Sequence, residues 1–141
     1  MKGGDKMVLF INANITVYNK YYDFMAGYDM YQRTVIKDVD WQGKRNATVT
    51  NNGLLMVDSV LVIIDKLENY ISPKQFAKLT DTERVNYFTL AIDDKVVKGE
   101  IDFEITGIKP YRLANLENNF DDVVNIMSTR VLSDHFEVEG K

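Results

Sequence analysis

The chain has 141 residues, 45% of them apolar and 27% charged, with a formal net charge of −4. That length supports one domain with one core, and the composition is that of a folded globular chain. With no cysteine and one histidine, disulfides, thiol catalysis and Cys-based zinc sites are excluded, and the acidic balance argues against a dedicated nucleic-acid binder.

Met1–Lys6 (MKGGDK) is Gly-rich and polar and reads as a flexible N-terminal arm, followed by a single β-barrel-like domain over residues 7–141. Met7–Ile11 is apolar enough to dock. It carries no charged start with a long apolar core and cleavage site, so no secretion signal is expected. Ile15–Trp41 is a Tyr-rich hairpin pattern. In its first arm Ile15, Val17 and Tyr21 share one face, and Thr16, Tyr18, Lys20 and Tyr22 the other. In its second arm Tyr28, Met30, Thr34 and Ile36 alternate with Asp29, Tyr31, Arg33 and Lys37. A period of two is the pleat of a half-buried strand. Asp23–Gly27 separates the arms and ends on the residue most at ease at positive φ.

Gln42–Leu55 reads as a long connection, punctuated by Gly43 and the turn dipeptide Asn52–Gly53, without a sustained strand pattern. Asp58–Ile64 is dense in β-branched residues, as a strand buried on both faces would be. Its core Val60–Ile64 is an apolar run no shorter than any other in the chain, yet far short of the ~20 residues that span a bilayer. Ser72–Pro73 predicts a helix start, Ser as N-cap and Pro in the first turn. Val85–Ile92 and Lys95–Lys98 read as a second hairpin around Asp93–Asp94, and Glu100–Ile105 as a further strand after Gly99. Leu113, Leu116 and Phe120 recur at helical spacing, while Val124–Thr129 and His135–Glu139 alternate as strands. The sum is a mostly-β chain: a small β-barrel or sandwich with one or two short helices.

Chemistry-bearing motifs are sparse. His135 is the one histidine and stands near no nucleophile motif, so it reads as a strand-end residue with a local hydrogen bond. Asp93–Asp94 and Asp121–Asp122 are adjacent pairs, which on a strand point to opposite faces and so read as turn or cap residues. Gly3–Gly4 lacks the context of a phosphate loop, and the N-x-T sequons at Asn14 and Asn46 carry no weight without secretion. No metal, cofactor or catalytic residue is expected, and no enzyme activity. Two features point instead to contacts. Tyr21 and Tyr22 are consecutive, so one faces away from the core; with Phe24 and Tyr31 they form a candidate interface, since Tyr joins contact area to a polar tip. The Gln42–Leu55 connection is the second, with Gly43, Lys44, Arg45, Asn51, Asn52, Gly53, Leu54 and Leu55 as candidate residues at a channel or subunit junction.

Five segments stand in a recognisable order: Ile15–Asn19 (ITVYN), Tyr31–Trp41 (YQRTVIKDVDW), Asp58–Ile64 (DSVLVII), Val97–Ile101 (VKGEI) and His135–Lys141 (HFEVEGK). Together they resemble a domain family of unknown function encoded among the head and neck genes of tailed bacteriophages. Its patterns run ITVYN, YYRTVIKGVxW, DSVxVxI, VKGxI and HWEVxGK. The chain departs from them with Phe136 in place of Trp, with Ala91–Asp94 where a Gly-Asp turn is usual, and with a shorter lysine-rich tail. The resemblance implies a virion structural protein, similar to the stopper-type head–tail connectors. These are small barrels that form a ring, six copies by resemblance, below the portal and adaptor. They carry a long loop between the second and third strands that reaches the DNA channel, here Gln42–Met56 by position. Expected partners are further copies of the chain, the portal or adaptor, tail proteins and at most non-specific contact with packaged DNA, with no membrane. A tail-completion or terminator ring, or a small phage-encoded host-takeover binding module, are the alternatives.

Overall fold

The computed structural model describes the backbone of residues 10–50 and 53–141, and side chains over 10–43 and 59–141. The tyrosine-rich segment forms β1 (Ala13–Asp23) and β2 (Tyr28–Thr50), paired antiparallel from Ala13↔Val39 to Asp23↔Tyr28. Gly27, at φ +82°, closes the turn between them, and the Asp23 carboxylate accepts from the N–H groups of Met25 and Ala26. β3 (Gly53–Asp65) follows, then α1 (Pro73–Phe76), α2 (Asp81–Arg84), β4 (Lys95–Lys98), α3 (Leu113–Asn119), β5 (Val123–Val131) and β6 (His135–Gly140). The strands close into an all-antiparallel barrel in the order β1-β2-β3-β6-β5-β4, which selects the barrel over the sandwich.

Ile15, Val17, Ile36, Val39, Trp41, Val62, Ile64, Val96, Ile126, Phe136 and Val138 fill the interior. Phe88 and Leu90 join them from the segment between α2 and β4. The alternate residues of β1 are buried too. Tyr18 and Val97 belong to a second core outside the wall, closed by Ile105 and by Leu116 of α3. The two-sided burial of β1 explains why Thr16 and Asn19 are fully buried although polar. Thr16 Oγ1 donates to the carbonyl of Gly99 (2.8 Å) and accepts from the N–H of Ile101, while Tyr18 Oη donates to the carbonyl of Phe103 (2.6 Å). Burial pushes the Tyr18 phenol well above its usual range, which keeps it a donor.

Asp38 has a backbone cost. Between Ala13↔Val39 and Ile15↔Ile36 one residue of β1 faces two of β2, a bulge with Asp38 at φ +62° and its N–H donating to Asn14 Oδ1. Such an insertion bends a strand, and here β2 changes partner from β1 to β3 just beyond it.

Several expectations need correction. Gln42–Leu55 is not an unpaired connection: β2 and β3 pair continuously from Asp40↔Ile63 to Thr50↔Gly53. Its weak strand pattern arises because Cα pairs such as Asn46↔Val57 and Thr48↔Leu55 set polar against apolar residues, and a backbone ladder does not require alternation. Val85–Ile92 is not a strand. Thr80 caps α2 through a capping box with Glu83, and Phe88 makes only an isolated bridge to Tyr70. Glu100–Ile105 is extended but unladdered, held by the Thr16 and Tyr18 bonds and by Arg33 Nε donating to the Ile101 carbonyl at 2.6 Å. The short helices among the described residues are α1, α2 and α3, one more than the upper expectation of two. Val60–Ile64 is buried at Val62 and Ile64 and half-buried between them, rather than buried on both faces. Phe10 and Ile11 are exposed rather than docked. The expected arm, Met1–Lys6, lies outside the described residues.

Candidate functional site

The turn between β1 and β2 carries an unusual load of exposed apolar side chains. Phe24 is 87% exposed, Met25 95%, and Tyr22 and Tyr28 about half. Tyr22 and Phe24 meet edge-to-face with ring centroids 4.9 Å apart, so the tip is ordered without being covered. The Tyr28 ring lies against Gly107, which brings the turn beside Ile108 and Tyr111, also exposed. Scattered surface hydrophobes are ordinary, and the grouping of these on one turn makes it a candidate contact surface.

Beside the tip, α1 and α2 wall a groove of about 430 Å³, lined by Tyr21, Tyr22, Phe24, Phe76, Leu79 and Arg84 among others. Sequence places the helices here through two capping boxes, Ser72 with Gln75 and Thr80 with Glu83. The Arg84 side chain is nearly buried. Its guanidinium sits 3.5 Å over the Tyr21 ring, its Nη2 pairs with Asp81 at 2.7 Å, and its Nε has no acceptor among the described residues. Gln32 anchors the same corner by donating to the carbonyls of Arg84 and Tyr87. Deeper in, the Asp94 carboxylate accepts from Asn19 Nδ2 and from the N–H groups of Lys20 and Ala91. Burial nevertheless raises this carboxyl above the usual range.

The predicted interface residues therefore separate. Tyr22 and Phe24 stand at the tip, Tyr21 is half-buried under Arg84, and Tyr31 packs against the second core, where burial raises its phenol. Tyr28 belongs to the same aromatic group in the sequence, whereas Met25 and Arg84 do not stand out there. A run of apolar residues inside a turn, Phe24–Met25–Ala26, is the available signal for Met25.

The second candidate lies at the far end of β2. Beyond Val39 the only strand paired with β2 is β3, and before Val60 the only strand paired with β3 is β2, among the described residues. Residues 44–50 and 53–59 thus form a two-stranded ribbon outside the barrel ladder, about 23 Å long at ~3.3 Å per residue. Gly43, Lys44 and Arg45 pair with Val60, Ser59 and Asp58, and Gly53, Leu54 and Leu55 with Thr50, Val49 and Thr48. Asn51 and Asn52 lie outside the described residues. A two-stranded ribbon on its own is marginal in water.

Among the described residues no group of three or more His, Asp or Glu is arranged to hold a metal ion, and no helix is long and apolar enough to cross a membrane. Residues 10–141 match the model of a family described as "Family of unknown function (DUF6751)". The chain belongs to the DUF6751 family. Comparison with curated proteins and with solved structures returns no match.

Proposed function

We propose that this member of DUF6751 is a non-enzymatic structural protein of the phage neck, a stopper-type head–tail connector whose copies form a ring that retains DNA and docks the tail. The observation that carries the reading is the β2–β3 ribbon, which leaves a small closed barrel between its second and third strands. That is where the connectors it resembles carry their channel element. In this reading the ribbon reaches a channel or subunit junction. Lys44 and Arg45 at its base meet DNA phosphate or an acidic neighbour, and the contacts made in the ring stabilise a ribbon that is marginal alone. The aromatic tip supplies a docking face for a portal, adaptor or tail protein. The mechanism is mechanical, and the place of action is the virion, assembled in the bacterial cytoplasm.

The test is particle composition. Mass spectrometry of purified virions is expected to find the chain at a few copies per particle. Deleting Arg45–Gly53 should leave a folded barrel but yield heads that leak DNA or lack tails. A chain missing from particles, yet bound to a host protein, would instead support the host-takeover module.

A further inference from the structure

The turn joining β5 to β6 holds the chain's one histidine between two carboxylates. His135 Nδ1 lies 2.6 Å from Asp134 Oδ1, and its Nε2 lies 3.1 Å from Glu137 Oε2. An ionised carboxylate only accepts, so each ring nitrogen must donate. Neutral imidazole has one N–H and can serve one of the two; imidazolium serves both. The geometry therefore specifies the charged ring.

We propose that His135 is a pH-sensitive latch, closed as the imidazolium, that ties Asp134 to Glu137 across the β5–β6 turn and loosens when the ring loses its proton. The turn is small and its closing bonds are few. Leu132 N–H donates to the His135 carbonyl (2.9 Å). From the chain beyond β3, Lys66 donates its N–H to the Asp134 carbonyl (3.3 Å) and its ammonium to the Leu132 carbonyl (2.6 Å). Loss of the proton sets a ring lone pair against a carboxylate oxygen, and one of the two contacts must open.

The surrounding charges are mixed. Arg130 on β5 pairs with the other oxygen of Glu137 at 3.1 Å, and Asp65 on β3 is the Cα partner of His135. Lys66 lies over the Phe136 ring, 5.0 Å from its centroid. Bonds to Asp134 and then Glu137 raise the ring's proton affinity above its ordinary value, against a smaller desolvation effect. A group whose folded-state value is raised contributes fully below its ordinary pKa of ~6.5 and loses that contribution as pH climbs through the folded value. The latch therefore closes on the acid side and slackens on the alkaline side.

With a single histidine, the ring resonances of the full-length chain can be titrated by NMR without ambiguity. The expected midpoint lies above ~6.5 and falls in both Asp134→Asn and Glu137→Gln. Amide exchange at Leu132–Glu137, corrected for intrinsic base catalysis, should rise severalfold through that midpoint and be flat with pH in His135→Gln. A wild-type midpoint at or below ~6.5, or corrected exchange that does not change through it, overturns the latch.

Discussion

Asn19 and Asp94 are both buried, and Asn19 Nδ2 donates to Asp94 Oδ2 at 2.8 Å, tying the middle of β1 to the turn that enters β4. The same amide donates to the carbonyl of Thr89 and accepts from its N–H. Asn19→Ala would strand the N–H and carbonyl of Thr89 and remove one of the three donors to the Asp94 carboxylate. Each such loss costs ~1–3 kcal/mol, with partial relief from relaxation and water. The expected destabilisation is about 2–4 kcal/mol by urea unfolding, and a loss below about 0.5 kcal/mol would mean water replaces the amide.

Gly140 is required for space. A Cβ there would lie 2.7 Å from Val124 Cγ2 and 3.2 Å from the Asn125 carbonyl, where Gly140 pairs with both Val60 and Ile126. Gly140→Ala should cost ~1–3 kcal/mol through overpacking at the barrel seam. Adding Val124→Ala should recover part of that in thermal unfolding; strict additivity of the two losses would place the strain elsewhere.

At the β2 bulge, Asp38 occupies the left-handed region. There glycine is free, Asp is tolerated and β-branched residues are not. Asp38→Gly is expected to be neutral to slightly stabilising. Asp38→Val should lie ~1–2 kcal/mol below the Gly variant. Equal midpoints for the two in chemical denaturation would show that the bulge relaxes.

At the β1–β2 tip, Tyr22→Ser and Phe24→Ser should shift stability by under ~0.5 kcal/mol, the usual range for surface changes. Under the proposed connector role they should sharply reduce incorporation into particles. Tyr21→Ser behaves differently, because its ring supports the Arg84 guanidinium. It should cost ~1–2 kcal/mol and impair assembly only through folding. Tip variants that incorporate normally would remove the tip from the docking surface.

Much of the barrel is legible in the residues because period-two alternation and turn chemistry agree. The Ile15–Trp41 hairpin, the Gly27 turn, the Ser72 cap and the last two strands follow from those rules. The misses share a cause. Segments Val85–Ile92 and Glu100–Ile105 have strand composition, but their backbones are satisfied by side chains of β1 and by capping rather than by a ladder. Such long-range bonds have no local signature. The ribbon was hidden the other way, by polar residues set opposite apolar ones in the ladder register. Tyr21 and Tyr22 could be assigned opposite environments from adjacency alone, but which of them faces out depends on Arg84, sixty residues later and invisible as a partner from spacing.

The strand order also governs how the chain must be made. β3 lies between β2 and β6 in the barrel, and its Asp65 pairs with His135. During synthesis the Val60–Ile64 stretch therefore waits, with one edge open, while everything from the helices to β5 is added. Closure depends on non-local pairing, which is slow, and an unpaired β-branched edge is a template for the wrong chain. At high expression the nascent protein should thus be most prone to aggregate just before β6 emerges, and slowing initiation or supplying a chaperone that covers strand edges should raise the soluble yield more than any change to the finished surface.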